Sequence, residues 1–356
     1  LTLAADQLPA DTYIVGRPIS LAANGYLAKV YMKMATESSL SKTPQEYWGL
    51  AFTNAKIVYD SKKYSLLHNY EDLFKEGNEN TAESIFELQY ISTGTSTKSG
   101  QHATISSPQN SIYNQRDQGG QLRVNRLALH DHYLDYNIGV KENHPDPRVN
   151  ATYIVDDYTE IVAPFRKRKL YPVQFTGGFA VNFIKKYAES DNTNINTERN
   201  RMLFRYADLI LMLAEIENER GNTAEAKLYI KEVLDRAAVS LYTNANIDAI
   251  AGGNDLRIRI AKERTYELLG EGQEWFDMRR FKDGSATYLE NRILRRQALF
   301  NGADLFDKKN KTKFHNTWNP DLSFVFSSRA MSSFAMRLNL TIGPAIMWGN
   351  DMIYKR

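Results

Sequence analysis

The chain has no cysteine, which excludes disulfides, thiolate metal sites and a cysteine nucleophile. Histidine is sparse: His68, His102, His130, His132, His144 and His315 are the whole complement. His130-Asp131-His132 sets two imidazoles close together, but no third ligand is placed beside them, so no metal is expected. Asp191-Asn192-Thr193-Asn194-Ile195-Asn196 resembles a calcium loop in composition only, lacks the glycine of an EF-hand, and reads as a turn before a helix. Phosphate-binding loops, nucleophile elbows, HExxH and dinucleotide fingerprints are missing, and no cofactor is expected. The longest apolar run is too short and too polar to cross a bilayer. A net charge of +3 sets up no strong field towards nucleic acid or anionic membrane. The basic run Arg166-Lys167-Arg168-Lys169, flanked by Phe165 and, past Leu170, by Tyr171, lacks the broad basic face of a nucleic-acid site and reads as a solvated loop.

What the chain has in quantity is aromatic: 21 Tyr, 16 Phe and 4 Trp, more rings than an ordinary core requires. Apolar residues make up 42% of the 356 residues, enough for one large core or two interleaved lobes.

The segment from Arg199 to Arg280 organises the rest. Ala207, Ile210, Leu211 and Ala214 fall at i, i+3, i+4 and i+7, one stripe of a helix that stops at Gly221. Asn222 or Thr223 then opens a second helix with Ala226, Ile230, Val233, Leu234 and Ala237 inward. So tight a turn makes the two antiparallel, and Ala214 and Ala226 allow close approach, as in a tetratricopeptide-like pair. A third helix opens at Asn254 or Asp255, with Ile258, Ala261, Thr265 and Leu268 on one stripe and Arg259, Glu263, Arg264 and Glu267 on the other. The charge continues through Glu271, Glu274, Asp277, Arg279 and Arg280 beside Trp275 and Phe276, and predicts carboxylates paired with planar guanidiniums at partly buried positions. Helical spacing puts Glu263, Glu267 and Glu271 on one face, where they could be taken for the acid and base of a glycoside hydrolase. Carboxylates beside so many arginines have depressed pKa values and make poor general acids, so Glu263, Arg264, Glu267, Glu271, Asp277 and Arg280 are read as a structural ion-pair core.

Upstream, GRPISLAANGYLAKVYMKMA predicts an amphipathic helix over 16–35. Thr43-Pro44-Gln45-Glu46 predicts a capped second one, with Pro44 at the first helical position and Glu46 closing a capping box. Ser84–Ile91 alternates as a strand. From Ser92 to Glu198 the composition turns to Gly, Ser, Thr, Asn, Gln and Pro with scattered Tyr; so long an irregular stretch is expected to build a functional surface. The expected organisation is therefore a helical unit plus strand over 1–91, a loop-rich ligand-facing region over 92–198, a helix pair with a charged helical core over 199–284, and an unassigned segment over 285–356.

KERTYELLGEGQEWFDMRRF, preceded by RYADLILMLAEIENERG, resembles the C-terminal half of the SusD/RagB family of outer-membrane nutrient-binding lipoproteins. The block Gly16–Tyr90 is similar to that family's second helical repeat and following strand, and Asp146-Pro147-Arg148 occurs in the family before a short strand. The family's closing Pro-Ile-Pro element is not found, although Asn319-Pro320 is. The resemblance implies a mostly α fold in which tetratricopeptide-like helix pairs scaffold a loop-rich face with short strands. It also implies a non-catalytic protein at the cell surface that binds an oligosaccharide, or alternatively a peptide, and delivers it to a TonB-dependent, SusC-like transporter. The N-terminal lobe, with signal peptide and lipidated cysteine, is expected to lie outside these residues, so membrane contact would run only through that anchor. Sugar faces stack on aromatic planes and hydroxyls take polar partners, which makes Tyr113, Asn114, Tyr133, Tyr136, Arg148, Tyr153, Tyr158 and Phe165 the candidate ligand contacts. Trp275 and Phe276 are read as core.

Overall fold

The computed structural model describes residues 1–12, 14–90, 199–237 and 247–292. Between these blocks it describes 114–115, 123–124, 128, 131–132, 135–136, 146–153, 158–162, 166–170, 182–188 and 191–192. Helix α1 (Thr2–Gln7) is followed by the hairpin α2 (Ser20–Met34) and α3 (Pro44–Asp60). Thr43 caps α3: its hydroxyl accepts from the Glu46 amide at 3.3 Å, while the Glu46 carboxylate accepts from the Thr43 amide at 2.8 Å. That reciprocal pair fixes the helix start as the TPxE spacing predicts.

A 3-10 turn, Tyr70–Phe74, leads to strand β1 (Ser84–Leu88). Then come β2 (Asn114–Gln115), β3 (Arg123–Val124), helix α4 (Pro147–Thr152), β4 (Tyr158–Val162), β5 (Arg166–Leu170), β6 (Asn182–Phe183), β7 (Asp191–Asn192) and β8 (Arg201–Arg205). Among the described residues all sheets are two-stranded: β1 with β8, β2 with β7, β3 with β6, and β4 with β5. The chain passes from β8 straight into α5 (Tyr206–Glu219), turns at Gly221 (φ +88°) into α6 (Thr223–Arg236), and continues as α7 (Asn254–Leu268) and α8 (Glu274–Arg280). A last ribbon pairs β9 (Lys282–Asp283) with β10 (Ala286–Thr287).

Both helix pairs form, α2 against α3 and α5 against α6, and α3 packs on α5. The architecture is mostly α, with short strands. The antiparallel β1–β8 ladder and one continuous apolar core join the first block to the third. Helix α5 departs from the expected single stripe. Leu209, Met212, Leu213 and Ile216 are buried along with Ala207, Ile210, Leu211 and Ala214, because α3, α6 and α7 surround it; a helix apolar on every side is a core helix.

Asp146-Pro147-Arg148 opens α4, since the Asp146 carboxylate accepts from the Arg148 amide at 2.9 Å and Pro147 sits at the first helical position; Tyr153 then bridges to Ile184. Three expectations need correction. Arg166–Lys169 lies in β5 rather than a loop, and Asp191-Asn192 forms a parallel rung with β2 rather than a turn. Phe276 is 60% exposed and Trp275 half-buried, with the Arg279 guanidinium 5.4 Å from its ring. Helix α8 turns Glu274 and Met278 inward, and Phe276, two residues beyond Glu274, falls on the opposite side. Residues 91–113 and 293–356, with the roles expected of them, lie outside the described residues.

The two halves meet tightly where α2 crosses β8. A Cβ on Gly25 would lie 2.2 Å from the Phe204 ring, and Phe204 is itself buried. Glycine to alanine inside a helix ordinarily stabilises by about 1 kcal/mol. Here Gly25→Ala is expected to reverse that sign and destabilise by roughly 1–3 kcal/mol through overpacking, read from urea unfolding midpoints.

Candidate functional site

The charged stripe of α7 is not a solvent face. Glu263, Arg264 and Glu267 are buried, and four separated pieces of chain bring cations to them. Arg205, the last residue of β8, uses all five of its N–H groups. Nε and Nη2 hold the two oxygens of Glu271 at 2.7 and 2.9 Å. Nη1 reaches Glu83 at 2.7 Å and Glu267 at 2.6 Å, and Nη2 also reaches the Glu267 carbonyl at 2.7 Å. Arg148, from α4, is equally committed: to Asp146, to Glu263 Oε1 at 2.6 Å, to Glu267 Oε2 at 3.0 Å and to the Tyr136 hydroxyl at 3.0 Å. Arg236, closing α6, bridges Glu83 at 2.9 Å and Glu267. Lys186 donates to Glu271 at 2.7 Å and to the Glu267 carbonyl at 3.0 Å.

A second cluster lies further along. Arg264 pairs with Asp208 at 2.8 Å and Asp277 at 2.7 Å, and Arg280 with Asp277 at 2.9 Å and with Glu215. Lys29 from α2 closes on Asp208 at 2.6 Å.

Burial alone would raise the Glu267 carboxyl, but Arg236, Arg205 and Arg148 outweigh it and hold it well below the ordinary carboxylate range. Glu271 is likewise lowered, Arg205 and Lys186 prevailing over burial. Glu274 goes the other way: desolvation pushes it up to about 7. It has the Gly270 amide as a donor to Oε1, while Oε2 has no hydrogen-bond partner. Gly270 and Gly272 hold positive φ at +82° and +89°, the conformation that lets the short loop between α7 and α8 reverse so tightly.

A shallow cleft meets this web at Glu271, lined by Phe74, Glu79, Glu87, Tyr187 and Arg199, among others. Its carboxylates are already engaged. Glu79 accepts from the Asn200 amide at 2.7 Å, Glu87 accepts from the Asn80 amide and the Asn200 side chain at 3.1 and 3.2 Å, and Glu271 is held by Arg205 and Lys186. Retaining and inverting hydrolases need one protonated carboxyl and one free carboxylate facing the same cleft. Glu271, on the cleft, is the ionised one of the local pair; Glu274, the carboxyl with the raised pKa, is 4% exposed.

The candidate ligand contacts separate into three groups. Tyr136, Arg148 and Tyr153 are 1%, 0% and 0% exposed. The Tyr136 hydroxyl donates to Glu263 at 2.8 Å, and Tyr153 meets His132 at 3.2 Å, which in turn meets Asp146 at 2.8 Å. These three therefore belong to the interior web rather than to an open platform. The signal for this was the Asp146-Arg148 pair itself, a guanidinium beside a helix-capping acid. Asn114 and Tyr158 are placed on β2 and β4. Tyr113, Tyr133 and Phe165 lie outside the described residues. Sequence reasoning missed Glu83, Lys186, Arg205 and Arg236 because none of them has its partners in its own local segment. Only the fold brings them to Glu267 and Glu271.

The model of the SusD family matches residues 82–337. The chain belongs to the SusD family. Among curated relatives, this SusD-family chain is 24% identical over 310 residues to SusD-like protein P2 of Formosa agariphila, covering 82% of the chain and 56% of that protein. Two solved structures share the fold. Surface glycan-binding protein A from Bacteroides uniformis has a TM-score of 0.56 at 19% identity, over 96% of this chain and 66% of that one. A structure solved with a xylogluco-oligosaccharide has a TM-score of 0.57 at 21% identity, over 85% and 57%. The SusD-family chain spans about half the length of two curated relatives it matches, SusD-like proteins P2 and P25 of Formosa agariphila.

Two outcomes follow from the web. Arg205→Met leaves Glu83 with Arg236 alone, Glu271 with Lys186 alone and Glu267 with Arg236 and Arg148, and is expected to cost about 3–5 kcal/mol in urea unfolding because five charge-assisted bonds are lost in the interior. Glu274 has a folded pKa above its unfolded value, so its proton stabilises the fold at low pH, and that contribution is lost as pH rises from the unfolded value towards about 7. Between pH 5 and pH 8 the unfolding free energy should therefore fall by about 2–3 kcal/mol more in the parent than in Glu274→Gln, which has no proton to lose.

Proposed function

We propose that this SusD-family chain is a non-catalytic, glycan-binding component of the outer-membrane surface. In this reading it holds oligosaccharide on its loop-rich face and passes it to a TonB-dependent, SusC-like transporter, with attachment through a lipid anchor beyond the residues in hand. Support for the binding half comes from the relatives. The neighbour from Bacteroides uniformis is described as a surface glycan-binding protein, and another was solved with a xylogluco-oligosaccharide.

The observation that carries the non-catalytic half is the state of Glu263, Glu267 and Glu271. Glu267 and Glu271 are held ionised by guanidinium and ammonium groups, and Glu263 accepts from Arg148, Arg259 and Tyr136. A general acid must hold a proton near neutral pH and reach the glycosidic oxygen. Glu267 and Glu271 are held without that proton, and the elements they fasten are instead fixed as a scaffold.

Purified protein run through a polysaccharide panel by affinity electrophoresis is expected to show retardation by at least one glycan, with no new reducing ends after prolonged incubation. Hydrolysis that disappears in Glu267→Gln would replace this reading with a glycosidase, and retention on peptides alone would replace it with a peptide binder.

A further inference from the structure

The short ribbon after α8 holds a contact that the helical frame does not need. Strands β9 and β10 pair antiparallel, Asp283 with Ala286 and Lys282 with Thr287, which leaves Gly284 and Ser285 as a two-residue loop. Loops of that length call for positive φ, and Asp-Gly is a favoured pair in them. Gly284 has φ +65°. Gly284 and Ser285 are exposed and Asp283 is half-buried.

Asp-Gly is also a pair open to a reaction of the chain with itself. The glycine amide nitrogen attacks Cγ of the aspartic acid, a C–N bond forms, and the carboxyl hydroxyl leaves with the amide proton as water. Water then reopens the five-membered succinimide at one of its two carbonyls. One opening restores aspartate; the other gives isoaspartate, in which the main chain runs through the side-chain carbon. Glycine permits the attack because it has no Cβ to hinder the nitrogen. The chain has three Asx-Gly pairs, Asn24-Gly25, Asp283-Gly284 and Asn301-Gly302. Asn24 and Gly25 are buried inside α2, and Asn301-Gly302 lies outside the described residues. Among the described residues, Asp283-Gly284 is therefore the pair in an exposed turn.

One side chain holds both reacting groups. The Gly284 N–H donates to Asn254 Oδ1 at 3.0 Å, and Asn254 Nδ2 donates to Asp283 Oδ1 at 3.3 Å. Arg257, one turn along α7, donates from Nη1 to the same Asn254 Oδ1 at 3.2 Å. A guanidinium only donates, so this contact fixes which way the Asn254 amide points. Arg257 is itself anchored to Glu219 at 2.8 Å, and the Asp283 carbonyl accepts from Asn291 at 3.0 Å. Ring closure needs the Gly284 nitrogen stripped of its proton and turned onto Cγ. An N–H committed to an amide oxygen resists both.

We infer that Asp283-Gly284 is a latent site of isoaspartate formation and that Asn254 guards it, by holding the attacking amide and the attacked carboxyl in separate hydrogen bonds. Isoaspartate lengthens the backbone by one carbon, which breaks the Asp283–Ala286 pairing and the Asn291 contact. It would thereby loosen the return of Tyr288 and Arg292 to the interior, where both are buried. The competing account makes Asn254 a plain tether between α7 and the ribbon, with the hairpin backbone alone preventing ring closure.

The test follows isoaspartate in the purified full chain over weeks at 37 °C and pH 6, by enzymatic methylation of isoaspartyl carboxyls and peptide mapping across 283–284. The native parent is compared with the same chain unfolded in urea, and with Asn254→Ala and Asn254→Asp; the latter keeps an oxygen for the Gly284 N–H. The native parent is expected to react at least tenfold more slowly than the unfolded chain. Asn254→Ala should react at least fivefold faster than the parent, and Asn254→Asp within about twofold of it. A parallel series carrying Asp283→Asn closes the same ring with loss of ammonia, reads as a mass gain of about one dalton, and should give the same order. Rates at several urea concentrations below the transition, extrapolated to none, separate reaction in the folded chain from reaction through unfolding. Native Asn254→Ala at the parent rate, or an acceleration that vanishes on extrapolation, overturns the inference in favour of the tether. Asn254→Asp as fast as Asn254→Ala overturns the part given to the amide oxygen, and a native parent as fast as the unfolded chain overturns the guard altogether.

Discussion

Glu267 ties together parts of the chain that are far apart in sequence. Its carboxylate takes Arg205 from the end of β8, Arg236 from the end of α6 and Arg148 from α4, and its carbonyl takes Tyr70, Lys186 and Arg205 again. Burying so many charges gains little net free energy, since desolvation offsets much of the attraction. What the arrangement enforces is position. An apolar contact that slips by an ångström loses a fraction of its dispersion energy, whereas a guanidinium with five engaged donors leaves charge unpaired in the interior. The web therefore admits one mutual placement of α4, α6, α7 and β8.

That constraint reaches the surface through the loop between α7 and α8. Glu271 sits there, held by Arg205 and Lys186 from below and lining the cleft above. Its neighbour Glu274 is kept next to it by the Gly270 amide and has no cation paired with it among the described residues. Two carboxyls on either side of one tight turn thus take opposite protonation states, because one is given two cations and the other only an amide. On the cleft side this leaves Glu271 ionised and held by two cations.

Much of the frame was legible in the residues. Spacing at i, i+3 and i+4, the TPxE cap and Gly221 located both helix pairs, because each signal is local. The pairing of the α7 acids was legible in kind, from the density of Arg beside Glu, but not in its partners. Arg205 and Lys186 carry no local mark, and they reach Glu271 only because β1–β8 and the 182–188 segment fold over α7. The same gap misplaced Tyr136, Arg148 and Tyr153. Aromatic and guanidinium groups in an irregular stretch look alike whether they face a sugar or a buried carboxylate, and only tertiary placement separates the two. Phe276 erred in the opposite direction: a motif dense in aromatics suggested core, while the phase of a seven-residue helix turned one ring out.

In the helical frame, every cation named in the web has an acid within reach, so its charge is neutralised locally and projects little field into solvent. Attraction of a charged ligand needs the contrary, an uncompensated excess. A web compensated in this way therefore fixes the geometry of the helices, and substitutions within it are read in stability.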